Sequence, residues 1–273
     1  MMIDNGFQII AHRGASGYRP ENTMYAFQYA WDLGILHIEC DLRYTKDKQI
    51  VIFHDSNVDR TTNGSGQLNE FDYKDLCHLD AGQWFGADYT GVHIPSLNDL
   101  FEEAPANSLF TLELKDPDIF KFVDEVVTQI HHYKVEDRVI LSSFNLDHLA
   151  RIKVVAPQLT TAALLEFNNL VSEKEGMHSV PGSSSMGFSS PQDQLLKHLR
   201  SLNVTFVCPP ARVITRQLVE SIQDADLLVR AWGLNKSCDA NEMRNLIICG
   251  VDGMTTNFPD VLRRIYREYG KGY

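Results

Sequence analysis

Two histidines near the start of the chain each follow an apolar run. His12 follows residues 7–11 and precedes Arg13, whereas His54 follows residues 50–53 in the stretch QIVIFHD. Histidine titrates near neutral pH, so two of them on opposite sides of a reacting centre can act as general base and general acid. These histidines are therefore candidates for proton-transfer chemistry.

Three carboxylates and a lysine recur at strand-like spacing in two later segments. Glu39 and Asp41 are two residues apart in LHIECD, and Glu113 and Lys115 are two residues apart in LELK. Residues at this spacing on a strand point to the same face, about 6.6 Å apart along it. We therefore expect Glu39, Asp41 and Glu113 to converge at one end of the fold.

Converging carboxylates repel one another unless positive charge offsets them. At about 4 Å and an effective dielectric near 20, each pair costs roughly 4 kcal/mol. A proton on one carboxylate, an ion-pair network with Arg13 and Lys115, or a bound cation would each offset this repulsion. All-oxygen ligands favour the hard cations Mg²⁺ or Ca²⁺ over zinc. The residues predict a divalent-cation site, with the ion-pair network as the alternative.

Such a pocket suits a phosphoryl group. A hard cation together with Arg13 and Lys115 would attract phosphoryl oxygens. The stretch HRGASG lacks the G-x-G-x-x-G spacing of a dinucleotide-binding turn. Neighbouring carboxylates would raise the pKa of Lys115, which argues against a Schiff-base lysine. A glycosidase would use two carboxylates but would leave the histidines and basic residues without a role.

Eight short apolar segments alternate with segments of helical period, which is typical of βαβ units. The predicted strands are residues 7–11, 36–40, 109–114, 138–143, 160–166, 204–208, 226–232 and 250–256. The predicted helices lie near 22–33, 118–133, 145–154, 190–201, 214–223, 239–248 and 258–268. The pattern predicts an α/β fold of the TIM (β/α)₈ barrel type, whose chemistry lies at the carboxyl ends of the strands. An open doubly wound sheet is the alternative.

Two regions interrupt the alternation. Residues 55–99 are several times longer than an ordinary connection between a strand and a helix. They predict an insertion after the second strand, over the carboxyl ends. Residues 171–190 are rich in Gly and Ser and predict a loop without chemistry after the fifth barrel strand. The whole chain, 1–273, is interpreted as a single barrel domain.

Composition narrows the class of partner and the compartment. The 273 residues carry a formal net charge of −11, which argues against nucleic acid and anionic membranes as partners. Five cysteines are scattered without zinc spacing, which predicts reduced thiols. The first ten residues lack the basic region of a signal peptide, and no apolar run reaches the roughly 20 residues of a membrane helix. We expect a soluble, cytoplasmic protein.

Motifs along most of the chain resemble those of the glycerophosphodiester phosphodiesterase family. They are HRGASGYRPENT at 12–23, IECDLRYTKDKQIVIFHD at 38–55, RTTNGSG at 60–66, IPSL at 94–97 and LELK at 112–115, with weaker matches in AWGLN at 231–235 and TTNFPD at 255–260. The resemblance implies a TIM barrel with an insertion after the second strand. It also implies hydrolysis of small glycerophosphodiesters, such as glycerophosphocholine, to sn-glycerol 3-phosphate and an alcohol.

The resemblance also implies roles for individual residues, by motif position. Glu39, Asp41 and Glu113 would bind Mg²⁺ or Ca²⁺. His12 and His54 would be the acid/base pair. Arg13 and Lys115 would hold the phosphate, and Trp232 would be the aromatic side chain near the glycerol.

Two positions depart from the family pattern. Arg230 in VRAWGLN is unusual where members often have a VWTVN-like run, and Asn257 stands where an aspartate is common. We expect neither to touch the metal ligands or the histidines, so both bear on substrate preference rather than on the reaction. A phospholipase-type phosphodiesterase acting on lysolipids and a non-catalytic ligand-binding barrel are the alternative functions.

Overall fold

The strands close into a parallel barrel, and the computed structural model describes residues 6–166, 191–237 and 239–269. The strands are β1 (Gln8–His12), β2 (His37–Tyr44), β3 (Ile50–Ile52), β4 (Leu109–Leu114), β5 (Val139–Ser143), β6 (Thr160–Leu164), β7 (Phe206–Cys208), β8 (Leu228–Leu234) and β9 (Gly253–Thr256). All except β3 pair in parallel, and β1 closes the barrel by pairing with both β2 and β9. The predicted (β/α)₈ barrel is confirmed.

Helices follow the barrel strands in the described parts of the chain. They are α1 (Met24–Asp32), α2 (Tyr73–Leu76), α3 (Leu97–Glu103), α4 (Ile119–Tyr133), α5 (Leu146–Val155), α6 (Pro191–Ser201), α7 (Arg216–Gln223), α8 (Ala240–Cys249) and α9 (Pro259–Tyr269). All except α2 and α3 correspond to predicted helices. No helix in the described ranges is long and apolar enough to cross a membrane.

Capping side chains set where the helices near the site begin. Thr23 Oγ1 accepts a hydrogen bond of 3.3 Å from the backbone N of Ala26 at the start of α1. The Asp118 side chain accepts one of 3.2 Å from the backbone N of Lys121 in α4. These caps satisfy N–H groups that a first helical turn leaves free. They fix the ends of the connections that follow β1 and β4.

The alternation of side chains along β2 and β4 separates the core from the barrel interior. Ile38, Leu42 and Leu112 belong to the main apolar core, in which the strands pack against the helices. The alternate residues include the acidic ones, and Asp41 pairs in register with Glu113 on the neighbouring strand. The strand period therefore places the acidic side chains on the interior face.

The predicted insertion after the second strand is present, and a hairpin of β2 and β3 precedes it. β3 is antiparallel to β2, with Ile52 opposite Leu42. The insertion has a small apolar core of its own, which consists of Val51, Phe53, Val58, Leu68, Leu76, Ala81 and Ile94. The loop predicted at 171–190 lies outside the described residues.

Candidate active site

Three buried carboxylates meet inside the barrel mouth, as the strand spacing predicts. Glu39 and Asp41 come from β2 and Glu113 from the adjacent β4, and they are 5%, 0% and 8% exposed. One oxygen of each lies within 4.8 Å of the others. The parallel register, in which Asp41 is opposite Glu113, brings the two strands' carboxylates together.

Asp41 has the strongest positive surroundings of the three. Arg13 Nε lies 3.1 Å from Asp41 Oδ2, and Lys115 Nζ lies 3.4 Å from Oδ1. Asn22 Nδ2 donates a hydrogen bond of 2.8 Å to Oδ2. Burial alone would raise the pKa of Asp41, but Arg13 and Lys115 outweigh burial and hold it well below its usual range. Asp41 is therefore ionised at neutral pH.

The pKa values of Glu39 and Glu113 shift in the opposite direction to that of Asp41. Burial raises the pKa of both carboxyls, and the charge of Asp41 raises them further. The pKa of Glu113 rises to about 7, although Lys115 Nζ donates a hydrogen bond of 2.5 Å to Glu113 Oε1. Arg13 and Lys115 thus balance only part of the charge, and a further cation would lower the pKa of Glu39 and Glu113.

The donor set fits a hard divalent cation. Asp41 Oδ1 is buried and accepts no hydrogen bond from the described residues, so it is available as a ligand atom. Oxygens bind Mg²⁺ or Ca²⁺ at about 2.0–2.6 Å, so oxygens on opposite sides of such an ion are roughly 4–5 Å apart. One oxygen of each carboxylate lies within 4.8 Å of the other two, which is compatible with that span. Glu39, Asp41 and Glu113 can therefore hold such an ion together.

His12 lies against this carboxylate cluster and is oriented by a residue from the other end of the chain. Its Nε2 is 4.0 Å from Glu39 Oε2, and its Nδ1 donates a hydrogen bond of 2.6 Å to Asn257 Oδ1. Burial and then the charge of Arg13 lower the pKa of His12 to about 4. The expectation that Asn257 does not touch the histidines is wrong, because closure of the barrel places the end of β9 beside β1.

His54 is the second predicted histidine, and a chain of ion pairs connects it to Arg13. His54 Nδ1 donates a hydrogen bond of 2.6 Å to Asp55 Oδ1, and Arg60 Nε donates one of 2.5 Å to Asp55 Oδ2. Arg60 Nη2 also binds Glu21 Oε1 at 2.7 Å, which accepts a further bond of 2.8 Å from Arg13 Nη1. The network ties the insertion to the turn after β1. Burial is the main factor that lowers the pKa of His54.

The turn after β1 adopts an uncommon backbone conformation. Arg13 and Asn22 have φ values of 53° and 56°, in the left-handed region, which non-glycine residues adopt at a cost. Gly14 is required there, because a Cβ would lie 2.6 Å from the backbone C of Ala26. Asn22 N donates to Arg13 O at 3.1 Å, which ties the two ends of the turn together. This strained turn delivers Arg13 and Asn22 to Asp41.

A cavity of about 130 Å³ opens beside the carboxylates. Its wall includes His12, Arg13, Glu39, His54, Glu113, Lys115, Phe144, Arg230 and Trp232. Trp232 Nε1 donates a hydrogen bond of 2.9 Å to Cys208 O, and its ring meets that of Phe144 edge to face at 5.5 Å. All the predicted substrate-binding residues thus border one cavity, and the unusual Arg230 shares it with the histidines.

Several neighbours of the predicted residues were not predicted from the sequence. Glu21 and Asn22 lie in the PENT motif, Asp55 directly follows His54, and Asn257 lies in TTNFPD. These motifs were recognised, but the partners that each side chain meets come from other strands or from the insertion. Phe144 follows β5 and has no sequence signal beyond its place at a strand end.

Comparisons with known proteins agree with this geometry. The family model described as the glycerophosphoryl diester phosphodiesterase family matches residues 12–261. A glycerophosphodiester phosphodiesterase of Caldanaerobacter subterraneus is 32% identical, over 96% of this chain and 98% of the relative, and one of Bacillus altitudinis is 30% identical over the same shares. A phosphodiesterase of Oleispira antarctica, solved with the product sn-glycerol-3-phosphate, is 26% identical with a TM-score of 0.80, and the match covers 95% of this chain and 96% of that one. The chain belongs to the glycerophosphoryl diester phosphodiesterase family of enzymes.

Proposed function

We propose that the chain hydrolyses glycerophosphodiesters to sn-glycerol 3-phosphate and an alcohol, with Mg²⁺ or Ca²⁺ held by Glu39, Asp41 and Glu113. The observation that carries this proposal is the cluster of three buried carboxylates, of which Glu39 and Glu113 line one cavity together with the two histidines. Membership of the family supports the reaction class. The product bound to the Oleispira relative supports glycerol 3-phosphate as the product here.

Bound between the carboxylates, the ion would stabilise negative charge on the phosphoryl oxygens and lower the pKa of a nearby hydroxyl. The chain positions one of the proposed ligands through its backbone, because the N–H of Arg13 donates a hydrogen bond of 2.9 Å to Glu39 Oε2. The positively charged side chains of Arg13 and Lys115 border the cavity. There they would bind the phosphate of the substrate, while Trp232 would contact its glycerol.

The partners of the two histidines favour a division of labour. Asn257 accepts a hydrogen bond from His12 Nδ1, so Nε2 of the neutral ring has a free lone pair and can act as a general base. Asp55 is a carboxylate beside His54 Nδ1, and its charge stabilises a protonated ring, as a general acid requires. We assign His12 as the base that activates the attacking hydroxyl and His54 as the acid that protonates the leaving alcohol.

Two routes lead to the same products. In one, the 2-hydroxyl of the substrate's glycerol attacks phosphorus, the alcohol leaves, and water then opens the cyclic phosphate. In the other, water attacks directly. NMR detection of a cyclic glycerophosphate in a slowed histidine variant distinguishes them, because the cyclic species forms only on the first route.

We also propose that the protein is located in the cytoplasm. Cys40, Cys77, Cys208 and Cys249 are free thiols in the structure. Disulfides are rare in reducing compartments, so reduced thiols agree with that location. Reaction of these thiols with a membrane-impermeant reagent only after cell lysis would support it.

The experiment that tests the function is the release of glycerol 3-phosphate from glycerophosphocholine. Protein stripped with EDTA is assayed with Mg²⁺, Ca²⁺ or no added metal. We expect turnover only when a metal is restored. Folded protein that releases no glycerol 3-phosphate with either cation would contradict the proposal, and turnover of micellar lysolipid alone would favour the phospholipase-type alternative.

A further inference from the structure

Arg230 on β8 is a buried cation inside the barrel. It is only 2% exposed, and it lines the cavity that Glu39, Glu113 and the two histidines share. Burial lowers the pKa of its guanidinium to about 10, so the group is still charged at neutral pH. A buried charge is costly unless a partner of opposite charge or several hydrogen bonds compensate it.

The guanidinium of Arg230 has no hydrogen-bond partner among the described residues. Nε, Nη1 and Nη2 are all buried, and none of them donates to a residue that the structure describes. Instead the group stacks on Phe206, with 3.4 Å between Cζ and the ring centroid. Asp252, whose charge acts on Arg230, accepts its hydrogen bonds from the backbone N of Val229 at 2.7 Å and from Gln223 Nε2 at 3.2 Å. Stacking of this kind leaves the N–H edge of the planar fork unpaired.

Charge balance of the three carboxylates does not explain Arg230. The positive charges that act most strongly on them are those of Arg13 and Lys115. The charge of Arg230 acts instead on His37, whose pKa is lowered first by burial and then by Arg230. His37 is buried at the start of β2. Arg230 therefore lies in the barrel interior. It borders the cavity, and its charge also reaches His37 at the amino-terminal end of β2.

We propose that Arg230 binds a carboxylate of the substrate and makes the enzyme prefer glycerophosphodiesters that carry one. The inference rests on the proposed function and adds a substrate class to it. A carboxylate accepts two parallel hydrogen bonds from a guanidinium fork and supplies the missing counter-charge. A carboxylate is small and planar compared with other common anionic groups, so it suits a cavity of about 130 Å³.

Two matched pairs of compounds test the proposal, one pair for each half of the substrate. Glycerophosphoserine differs from glycerophosphoethanolamine by one carboxylate on the alcohol half, and the two are compared by kcat/KM in metal-loaded protein. 3-Phosphoglycerate differs from glycerol 3-phosphate by a carboxylate in place of a CH₂OH group, and the two are compared by Kd in calorimetry. We expect at least one comparison to favour the carboxylate compound by about tenfold or more, the contribution of a charge-assisted hydrogen bond.

Three variants test whether a preference for the carboxylate compounds depends on Arg230. Arg230→Met keeps a long stem over Phe206 without the fork and is expected to remove the preference, whereas Arg230→Lys keeps the charge and is expected to retain part of it. Arg200→Met is the matched control, because Arg200 is exposed and pairs with Asp226 at the surface; it should keep the wild-type ratios. Thermal unfolding shows that each variant is folded.

Two outcomes would overturn the proposal. One is a wild-type protein with both ratios near one, and the other is a folded Arg230→Met variant that keeps the wild-type ratios. The calorimetric comparison needs no turnover, and the hydrolysis of glycerophosphoethanolamine needs no carboxylate on the substrate. Failure of the proposed hydrolysis is therefore distinguished from failure of the role of Arg230.

Discussion

His12 and Asn257 form a hydrogen bond across the closure of the barrel. His12 Nδ1 donates to Asn257 Oδ1 at 2.6 Å, between residues that are 245 positions apart. Asn257 Nδ2 donates to the backbone O of Asn235 at 3.4 Å, which orients the amide with its oxygen toward His12. The pair holds the imidazole in the tautomer whose Nε2 can accept a proton. Asn257 is therefore a positioning residue for the proposed general base.

Replacing Asn257 by Leu tests this role. The leucine side chain has a similar size but accepts no hydrogen bond, so the tautomer and orientation of His12 are no longer held. We expect kcat to fall by up to about 100-fold, within the range of a positioned proton transfer, with little change in KM or metal affinity. Steady-state kinetics and calorimetry with Mg²⁺ measure these quantities. Unchanged kcat in folded Asn257→Leu protein would remove Asn257 from the mechanism.

Replacing Asn257 by Asp predicts a change in pH dependence. The pKa of His12 is about 4, lowered by burial and by Arg13. A carboxylate beside Nδ1 favours the imidazolium, so the pKa of His12 rises and its base form is lost at a higher pH. The acidic limb of the kcat/KM profile is expected to move to higher pH than in the wild type. An acidic limb that stays in place would show that it does not report His12.

Metal binding and proton transfer are expected to separate in two variants. Glu39→Ala removes a proposed ligand, so bound metal and turnover should both be lost. His12→Ala leaves the three carboxylates in place and should keep the metal while it loses turnover. Glu136→Ala, which alters a glutamate paired with His131 outside the cavity, is the control. Bound metal is measured by mass spectrometry after dialysis, and near-normal turnover of His12→Ala would refute the acid/base assignment.

Stability depends on the layer between strands and helices rather than on exposed aromatic residues. Phe110 on β4 is fully buried and meets the ring of Phe101 at 5.4 Å, whereas Phe120 at the start of α4 is 66% exposed. Phe110→Ala is expected to lower the free energy of unfolding by about 3–5 kcal/mol, and Phe120→Ala by less than about 0.5 kcal/mol. Urea denaturation measures both. Equal losses would contradict the assigned core.

The strand period explains why much of the site could be predicted from the sequence. Glu39 and Asp41 share a face because alternate residues on a strand do, and a parallel barrel gathers the carboxyl ends of its strands at one mouth. The contacts of Asn257 depend on barrel closure, and no local pattern reports which side chain from β9 reaches β1. The family motifs identify these residues, but they do not show which side chains contact one another.

The insertion and Arg230 show two further limits of the sequence. α2 spans only four residues, too few for a periodic pattern to show. Arg230 lies two residues before Trp232 on β8, so alternation places both on the interior face. The residue type alone does not show what Arg230 does, because its role depends on contact with Phe206 and on the cavity.

Asp55 should control the protonation of His54. His54 Nδ1 donates to Asp55 Oδ1 at 2.6 Å, and this carboxylate raises the pKa of His54 against the larger effect of burial. Asp55→Asn keeps a hydrogen-bond acceptor but removes the charge, so the imidazolium is less stable and the pKa of His54 falls. If His54 is the general acid, its active protonated form is then lost at a lower pH. The basic limb of the kcat/KM profile is expected to move to lower pH, with metal affinity unchanged.

The two histidine partners provide the control for this last test. Asn257→Asp should move the acidic limb and leave the basic limb in place, whereas Asp55→Asn should do the reverse, because each variant changes the charge beside only one imidazole. The same pH series on both proteins measures the two limbs. If Asp55→Asn moves the acidic limb instead, His54 is the general base and the roles of the two histidines are exchanged.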